Sequence, residues 1–439
     1  MRHAHPEQAV YVGDGLLNAL ARLLSRHLPG KRCVLVTDNV LWPLYGQQVT
    51  AHLREAGYTV EACVLEREQK VEPDEAACGD ILMSFAEKPD FFVSVGSGVL
   101  TDLVRFIAAR CGLPFCAVAT APSMDGYTSA IAPLLYHGVK AHINAVSPQL
   151  IVCDLAVLCQ APLHMIASGA GDVLGKYIAY ADYMLGHIVN DEVFCHTCAQ
   201  MCLAAADKVL THAEAISART PAGIRVLTEA LLMTGLTISI IGSTRCVASM
   251  EHNMAHYWEM MKLYRGQTAP PHGASVGVAA LLLVPLYHQF VLEDVSAIRE
   301  DPAIAARLSR EETHAFVLAA YGETAANALM KVNPQIFISE TMHRARIQRV
   351  KEQIEPIRAV FHKMPDENRL RQALQTLGAP LTCQDLGVDD EMRNLSLHCA
   401  ADYRVRYTLT KMLRECGLLH KYLAAYPLPD GMARDTAES

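Results

Sequence analysis

FFVSVGSGVLTDLVRFIAARCG, Phe91 to Gly112, is the stretch that decides the architecture. FFVSV is an apolar run of the kind buried on both faces of a parallel sheet. Gly96-Ser97-Gly98 follows it directly, and LVRFIAARCG then repeats apolar residues at helical spacing. Glycines at a strand-to-helix junction let backbone amides approach a pyrophosphate, and the helix N-terminus adds partial positive charge. The segment from Gly96 to Asp102 is therefore a candidate phosphate element. Its spacing is not the GxGxxG fingerprint, and similar junctions occur in α/β proteins that bind nothing there.

The pattern repeats on either side. CVLVTD ending at Asp38, YTVEACVLE, FCAVAT and LIVCDL read as strands, and GLLNALARLLSRHL as a Leu-rich amphipathic helix. Another helix ends over Arg54 to Tyr58, with Gly57 as its stop signal. Alternation of this kind from Gln8 to Gln160 predicts a parallel sheet wrapped by helices, a Rossmann-like dinucleotide-binding domain. Asp38, at a strand end, suits a carboxylate that accepts hydrogen bonds from the adenosine ribose and repels a 2′-phosphate, favouring NAD over NADP. The same residue equally suits a helix cap. Thr120, Ser123 and Asp125 follow FCAVA at the sheet edge where α/β proteins place ligands, and the same residues with Pro122 and Gly126 also make an ordinary turn. Tyr136 to Ala145 reads as a small hairpin around His137-Gly138 that carries Lys140 and His142.

Beyond Gln160 helical periodicity takes over, with Pro162 at the boundary. The expected division is an α/β domain over residues 1–160 and an all-α domain over 161–439. Helices are expected over Asp172–His187, Asp191–Ile216, Gly223–Ile241, Ser249–Lys262 and Gly277–Phe290, and the near-continuous apolar run in the third places it inside a bundle. RCVASMEHNMAHYWEMMKLYRGQTAPPHGASVGV, Arg245 to Val278, carries the chemistry. His252 and His256, four residues apart, share a helical face, and His272 follows in a Pro-Pro-His-Gly turn. A carboxylate is supplied by Asp172, where Gly169 and Gly171 leave room for close backbone approach before a helix begins. Two imidazoles and one carboxylate suit a catalytic divalent cation, because three protein ligands leave a position open for substrate. An HxxxH pair standing alone is more often a surface or core feature.

Composition bounds the rest. The 439 residues carry a formal net charge of -8, which leaves no broad basic field for nucleic acid or an anionic membrane. MRHAHPEQAV lacks the apolar core of a secretion signal and no run reaches about 18 uninterrupted apolar residues, so a cytoplasmic protein without a membrane span is expected. Fourteen cysteines scattered among Leu and Ala read as reduced buried thiols. Cys195, Cys198 and Cys202 lie on one helix face with no second ligand pair nearby, which reads as packing ahead of a zinc or cluster site. The tail YPLPDGMARDTAES reads as unstructured.

VSVGSGVLTD, ATAPSMDGYTSA, ASGAGDVLGKYIAYADY, VASMEHNMAHYWEM and PHGASVGV, followed by LGAPLTCQDLGVDDE and RVRYTLTKMLRECGLL, together resemble the glycerol-1-phosphate dehydrogenase family. The likeness is to its bacterial branch, within the superfamily of dehydroquinate synthases and iron-containing alcohol dehydrogenases, and runs along nearly the whole chain. It implies a dehydroquinate synthase-like fold and reduction of dihydroxyacetone phosphate to sn-glycerol 1-phosphate by NAD or NADP chemistry, in a homodimer. The resemblance implies Asp172, His252 and His272 as metal ligands, with zinc the usual ion and nickel or iron compatible with the donors. It implies Gly96, Ser97, Gly98 and Asp102 in the cofactor loop, Thr120 and Ser123 along the nucleotide, Asp38 and Lys140 at the ribose, and Asp125 on substrate. Lys176, where alcohol dehydrogenases of the superfamily have a histidine ligand, favours the glycerol phosphate branch; a pairing with Asp172 or Asp182 is its structural alternative. Lys176 or Arg245 is expected at the substrate phosphate, and His256 in a proton relay or simply packed. Ala119 and Met250 depart from the family pattern, which has Pro and Gly there. The competing readings are another polyol or sugar phosphate on the same machinery, and a nucleotide-binding protein whose metal is structural.

Overall fold

In the computed structural model, which describes residues 8–68, 70–136, 139–298, 310–333, 336–429 and 432, the chain forms two compact units. The first comprises the residues up to Val173, Asp207–Ser243 and Thr376–Gly378; the second comprises Leu174–Ala206, Thr244–Gln375 and the residues from Ala379. The division thus differs from a single cut at residue 160. Loss of strand alternation marks where the sheet ends, whereas an apolar helix further along returns to pack on the strands.

The first unit is built on eight strands: β1 (Ala9–Gly13), β2 (Arg32–Asp38), β3 (Thr59–Leu65), β4 (Phe91–Gly96), β5 (Phe115–Ala119), β6 (Ile131–Tyr136), β7 (Val139–Asn144) and β8 (Leu150–Asp154). Six of them form one sheet in the order β1-β8-β5-β4-β2-β3, every pairing parallel. Helices α1 (Leu16–His27), α2 (Gln47–Glu55), α3 (Glu75–Met83), α4 (Gly98–Cys111) and α5 (Leu155–Leu158) connect or follow them. Alternate strand residues enter separate cores: Leu35, Val93 and Val118 meet the leucines of α1, while Val36, Phe92 and Ala117 meet Ile81 of α3 and Leu103 of α4. Gly57 takes φ +80° after α2, the left-handed stop that its position in the sequence suggests. β6 and β7 pair antiparallel as the expected hairpin, whose tip at His137-Gly138 lies outside the described residues. So do residues 1–7, 430–431 and 433–439, which hold the N-terminal stretch and most of the tail.

Strand order places the ligand edge. From β2 the chain crosses to β3 on one side, and from β4 it crosses to β5 on the other. A crevice opens at such a reversal, outside the C-terminal ends of the two strands, and here those ends are Asp38 and Gly96.

The helical segments are α6 (Leu163–Leu174), α7 (Lys176–Asn190), α8 (His196–Thr211), α9 (Ala213–Ser217), α10 (Pro221–Ile241), α11 (Met250–Tyr264) and α12 (His272–Val291), with further helices to Tyr422. The helix expected over Asp191–Ile216 starts at His196 and divides into α8 and α9, and two other expected boundaries move. Asp172 stands near the end of α6 and not at a helix start, and His272 is the first residue of α12 and not part of a turn. α10 and α12 are long and apolar enough to cross a membrane by length and composition, and most of each is buried within the protein. α10 packs on β1, α5 and the turn Gly126–Thr128. Among the described residues no disulfide forms, and Cys198 and Cys202 are buried on α8, with burial and the neighbouring Cys195 pushing the Cys198 thiol up to about 12.

The segment Ala121–Thr128, which leaves β5, is gripped by two glycines. A Cβ at Gly169 of α6 would lie 1.9 Å from the Pro122 carbonyl oxygen, and one at Gly235 of α10 would lie 2.0 Å from that of Asp125. Gly235→Ala is expected to lower stability by about 1–3 kcal/mol through overpacking. Gly79→Ala, in α3 with nothing within 4 Å of the added Cβ, is expected to raise it by about 0.5–1 kcal/mol. Urea denaturation of the two variants beside the parent chain checks the opposite signs.

Candidate active site

Helix α11 is buried on nearly every side, yet Glu251, His252, Asn253, His256, Glu259 and Lys262 all lie among its buried residues. A helix enclosed in this way is normally apolar throughout, so each polar side chain on it requires a partner. Carboxylates of α11 serve two imidazoles, one on α11 and one on α12. His252 donates Nδ1–H to Glu251 Oε1 at 2.7 Å, and His272, at the first position of α12, donates Nδ1–H to Glu259 Oε1 at 2.7 Å. The two rings meet edge to face, with centroids 5.2 Å apart and planes at 66°. With both Nδ1 atoms protonated towards carboxylates, Nε2 carries the lone pair on each ring, which is the tautomer that ligates metal.

His256 stacks on His272 at 5.0 Å and 16°, places Nδ1 3.6 Å from Glu259 Oε2, and lies 5.6 Å from the Tyr403 ring. Glu259 thus sits between two imidazoles. Atoms bound to one cation about 2.1 Å away are held near or beyond 3 Å from each other, so the 2.7 Å from Glu259 to His272 is a hydrogen bond that orients the ring. Sequence reading passed over both glutamates. Glu259 follows His252 by seven residues and His256 by three, which puts it on their face; Glu251, beside His252 in sequence, is invisible to that periodicity.

Asp172 is 1% exposed, and its Oδ2 accepts the backbone N–H of Asp125 at 3.2 Å. Asp172 belongs to the first unit; within the second, one ligand atom apiece from His256, Glu259 and His272 lies within 4.8 Å of the others, with His252 beside His272. Two imidazole nitrogens and a carboxylate oxygen, with carboxylates behind both rings, fit a divalent cation such as zinc, nickel or iron.

The sheet edge shows a second set of functions. Ser97 precedes α4 and makes no side-chain cap, so the first amides of α4 keep their polarity for an anion. Gly96 is required for packing, since a Cβ there would lie 2.3 Å from Leu100, and Gly98 lies under the Met124 side chain. Thr120 is buried and its N–H reaches the Gly96 carbonyl at 3.2 Å; Ser123 is half-buried on the segment between the two glycine contacts. Asp38 spends Oδ1 on the amides of Val40 and Leu41, at 3.0 and 2.7 Å, closing the turn after β2, while the helical turn that follows has Leu41 at its N-cap. A ribose contact would fall to its other oxygen. These features fit a dinucleotide.

Other expected residues have structural partners. Asp102 pairs with the fully buried Arg105, whose guanidinium also donates to the carbonyls of Gly126, Tyr127 and Ile131. It acts on the ligand edge through that arginine, a residue the sequence reading did not single out. Arg245 pairs with Glu192 and donates to the carbonyls of Asp182 and Tyr407, which braces these segments. Lys176 is fully buried in the first turn of α7. Lys140 lies on β7 and its side chain is outside the described part of the structure.

Residues 11–162 match the family described as iron-containing alcohol dehydrogenase. The chain is 32% identical over 383 residues to the glycerol-1-phosphate dehydrogenase (NAD(P)+) of Halalkalibacterium halodurans, covering 87% of this chain and 86% of that protein. It belongs to the glycerol-1-phosphate dehydrogenase family. Its relative of the same name from Sulfolobus acidocaldarius is 28% identical over 279 residues, covering 63% of this chain and 77% of that protein. Among solved structures, glycerol dehydrogenase from Schizosaccharomyces pombe has the same fold, with a TM-score of 0.59 at 15% identity over 96% of this chain and 94% of that one.

Arg105→Met strips Asp102 of its guanidinium inside the protein and removes the brace on Gly126 and Tyr127. About 3–5 kcal/mol of stability is expected to be lost. Asp102→Asn, which keeps a side chain able to accept from Arg105, is expected to lose less. Chemical denaturation of both variants measures the difference.

Proposed function

We propose that this member of the glycerol-1-phosphate dehydrogenase family reduces dihydroxyacetone phosphate to sn-glycerol 1-phosphate with NAD(P)H, and that Asp172, His252 and His272 hold the divalent cation the reaction uses. The observation that carries the assignment is the pair of carboxylate-to-imidazole bonds, Glu251 to His252 and Glu259 to His272, each 2.7 Å long, which fix two rings in the ligating tautomer. The names of the relatives support the substrate and the nicotinamide cofactor. When bound, the cation supplies Lewis-acid polarisation of a ketone and the reduced nicotinamide supplies the hydride.

The chain's own groups do the rest. The amides that open α4 hold the pyrophosphate, Gly96, Ser97 and Gly98 shape its approach, and Asp38 takes a ribose hydroxyl on Oδ2. Thr120 and Ser123 line the nucleotide. Asp125 orients a substrate hydroxyl, while its backbone N–H steadies the Asp172 carboxylate. His256 moves a proton at Nε2, with Glu259 beside its Nδ1 to stabilise the charged ring. Lys176, buried in the first turn of α7, is the candidate partner for the substrate phosphate.

NAD(P)H oxidation with dihydroxyacetone phosphate, dihydroxyacetone and a larger sugar phosphate side by side tests the reading. Turnover is expected chiefly with dihydroxyacetone phosphate. Chelation is expected to abolish it, and a restored divalent cation to bring it back. His252→Ala and His272→Ala are each expected to weaken cation binding at least about 100-fold, since loss of supporting residues alone costs 10–100-fold. Equal turnover by the chelated protein, or unchanged cation affinity in both variants, overturns the assignment.

A further inference from the structure

Asp182 sits in the middle of α7, fully buried, and takes no part in the chemistry proposed above. Its carboxylate gathers three donors: Ser249 Oγ on Oδ2 at 2.7 Å, and Tyr287 Oη and the Leu409 amide on Oδ1 at 2.7 and 2.9 Å. Each donor opens or belongs to a different helix. Ser249 is the N-cap of α11, Tyr287 lies on α12, and Leu409 begins the helix Leu409–Glu415. The first two are the helices that carry His252 and His272. Burial of an ionisable group in this place is costly, and Asp182 shows it, its pKa raised to about 6 by desolvation against the pull of its donors.

The contacts form a chain that ends on a ligand. An N-cap serine normally turns its hydroxyl onto its own helix, but Ser249 makes no such cap and gives the hydroxyl to Asp182. Its amide N–H instead meets Glu251 Oε1 at 3.0 Å, the same oxygen that accepts His252 Nδ1–H at 2.7 Å. The carboxylate behind His252 is therefore aimed by a backbone amide whose residue is tethered to Asp182.

We infer that Asp182, through Ser249, is a positioning residue of the metal centre: it holds the start of α11 against α12 so that Glu251 keeps His252 aimed at the cation. The inference rests on the assignment of His252 and His272 as ligands. Asp182 touches neither cation nor substrate. A general packing role would predict only a loss of stability, whereas positioning predicts a change in the coordination itself.

Cobalt(II) is the probe, because its visible absorption reports coordination geometry. The full-length protein, stripped and reloaded, is titrated against a chromophoric chelator as parent chain, His252→Ala, Asp182→Asn, Ser249→Ala and Ser249→Thr. Tyr321→Phe, which removes a buried hydroxyl bonded to the Cys399 carbonyl, serves as the packing control. Ser249→Ala is expected to raise the cobalt Kd 10–100-fold and to shift the absorption band, with a melting temperature near that of Tyr321→Phe and no band shift in that control. Ser249→Thr, which restores the hydroxyl, is expected to recover the parent Kd and spectrum. Asp182→Asn is expected to match or exceed Ser249→Ala, and where it does not fold the serine pair decides alone. Parent Kd and spectrum in Ser249→Ala overturn the inference while leaving the ligand assignment standing. Cobalt binding equally weak in the parent and His252→Ala overturns the ligand assignment itself, and the inference with it.

Discussion

The bond between a glutamate and an imidazole, made twice on helix α11, is what the centre of this protein depends on. Two carboxylates and three imidazoles enclosed by a helical core would be prohibitive as isolated charges. Pairing offsets this for two of the rings: Glu251 and Glu259 each obtain an N–H donor, and His252 and His272 each obtain a fixed tautomer. The cost of burying polar groups is thereby converted into orientation. α11 offsets the load with large apolar and aromatic side chains, Met250, Met254, Tyr257, Trp258 and Met260, and the enclosed Trp258 has its indole N–H held by Ser396 Oγ at 3.0 Å.

A comparable division of labour exists at the sheet edge, where the residues nearest the expected dinucleotide are small and the charged ones stand behind them. Gly96, Ser97 and Gly98 contribute backbone, while Asp102 and Arg105 fasten the following loop by its carbonyls. The glycines at 169 and 235 belong to the same device, since they let α6 and α10 close on Ala121–Thr128. Asp125 and Asp172 meet within that grip, so the geometry of one proposed metal ligand follows from how tightly two helices can approach a loop.

Much of this was legible in the sequence. The strands announced themselves because a parallel sheet buries both faces and needs unbroken apolar runs, and the pairing of His252 with His256 follows from helical spacing. What was not legible depends on contacts distant along the chain. Whether Asp102 faces a ligand or an arginine three residues on is decided by burial, and so is the commitment of Arg245 to Glu192. α10 reads as a bundle helix because it is apolar on nearly all sides, yet β1, α5, α9 and the turn Gly126–Thr128 supply the surface it packs on. His272 reads as a turn residue after two prolines, although proline before a helix start is favourable and the helix simply begins there. Asp182 carries no local signal at all. A lone aspartate in YIAYADYML differs from a surface residue only once its three donors are assembled around it.

Position 250 shows how the same logic bears on substrate choice. Met250 departs from the glycine that the resemblance leads one to expect, close in sequence to His252, which suggests a reshaped pocket. In the folded chain it is fully buried, and its sulfur accepts the Thr410 hydroxyl at 3.3 Å. Two residues on a helix place side chains about 200° apart, so Met250 and His252 point to opposite sides of α11. The methionine therefore fills the seam between α11 and the helix Leu409–Glu415, beside the Leu409 amide that Asp182 also holds. Glycine at that place would leave the seam to backbone alone; methionine packs it and stiffens the start of α11. The methionine sulfur thus lies on the side of α11 turned to that helix, across α11 from His252.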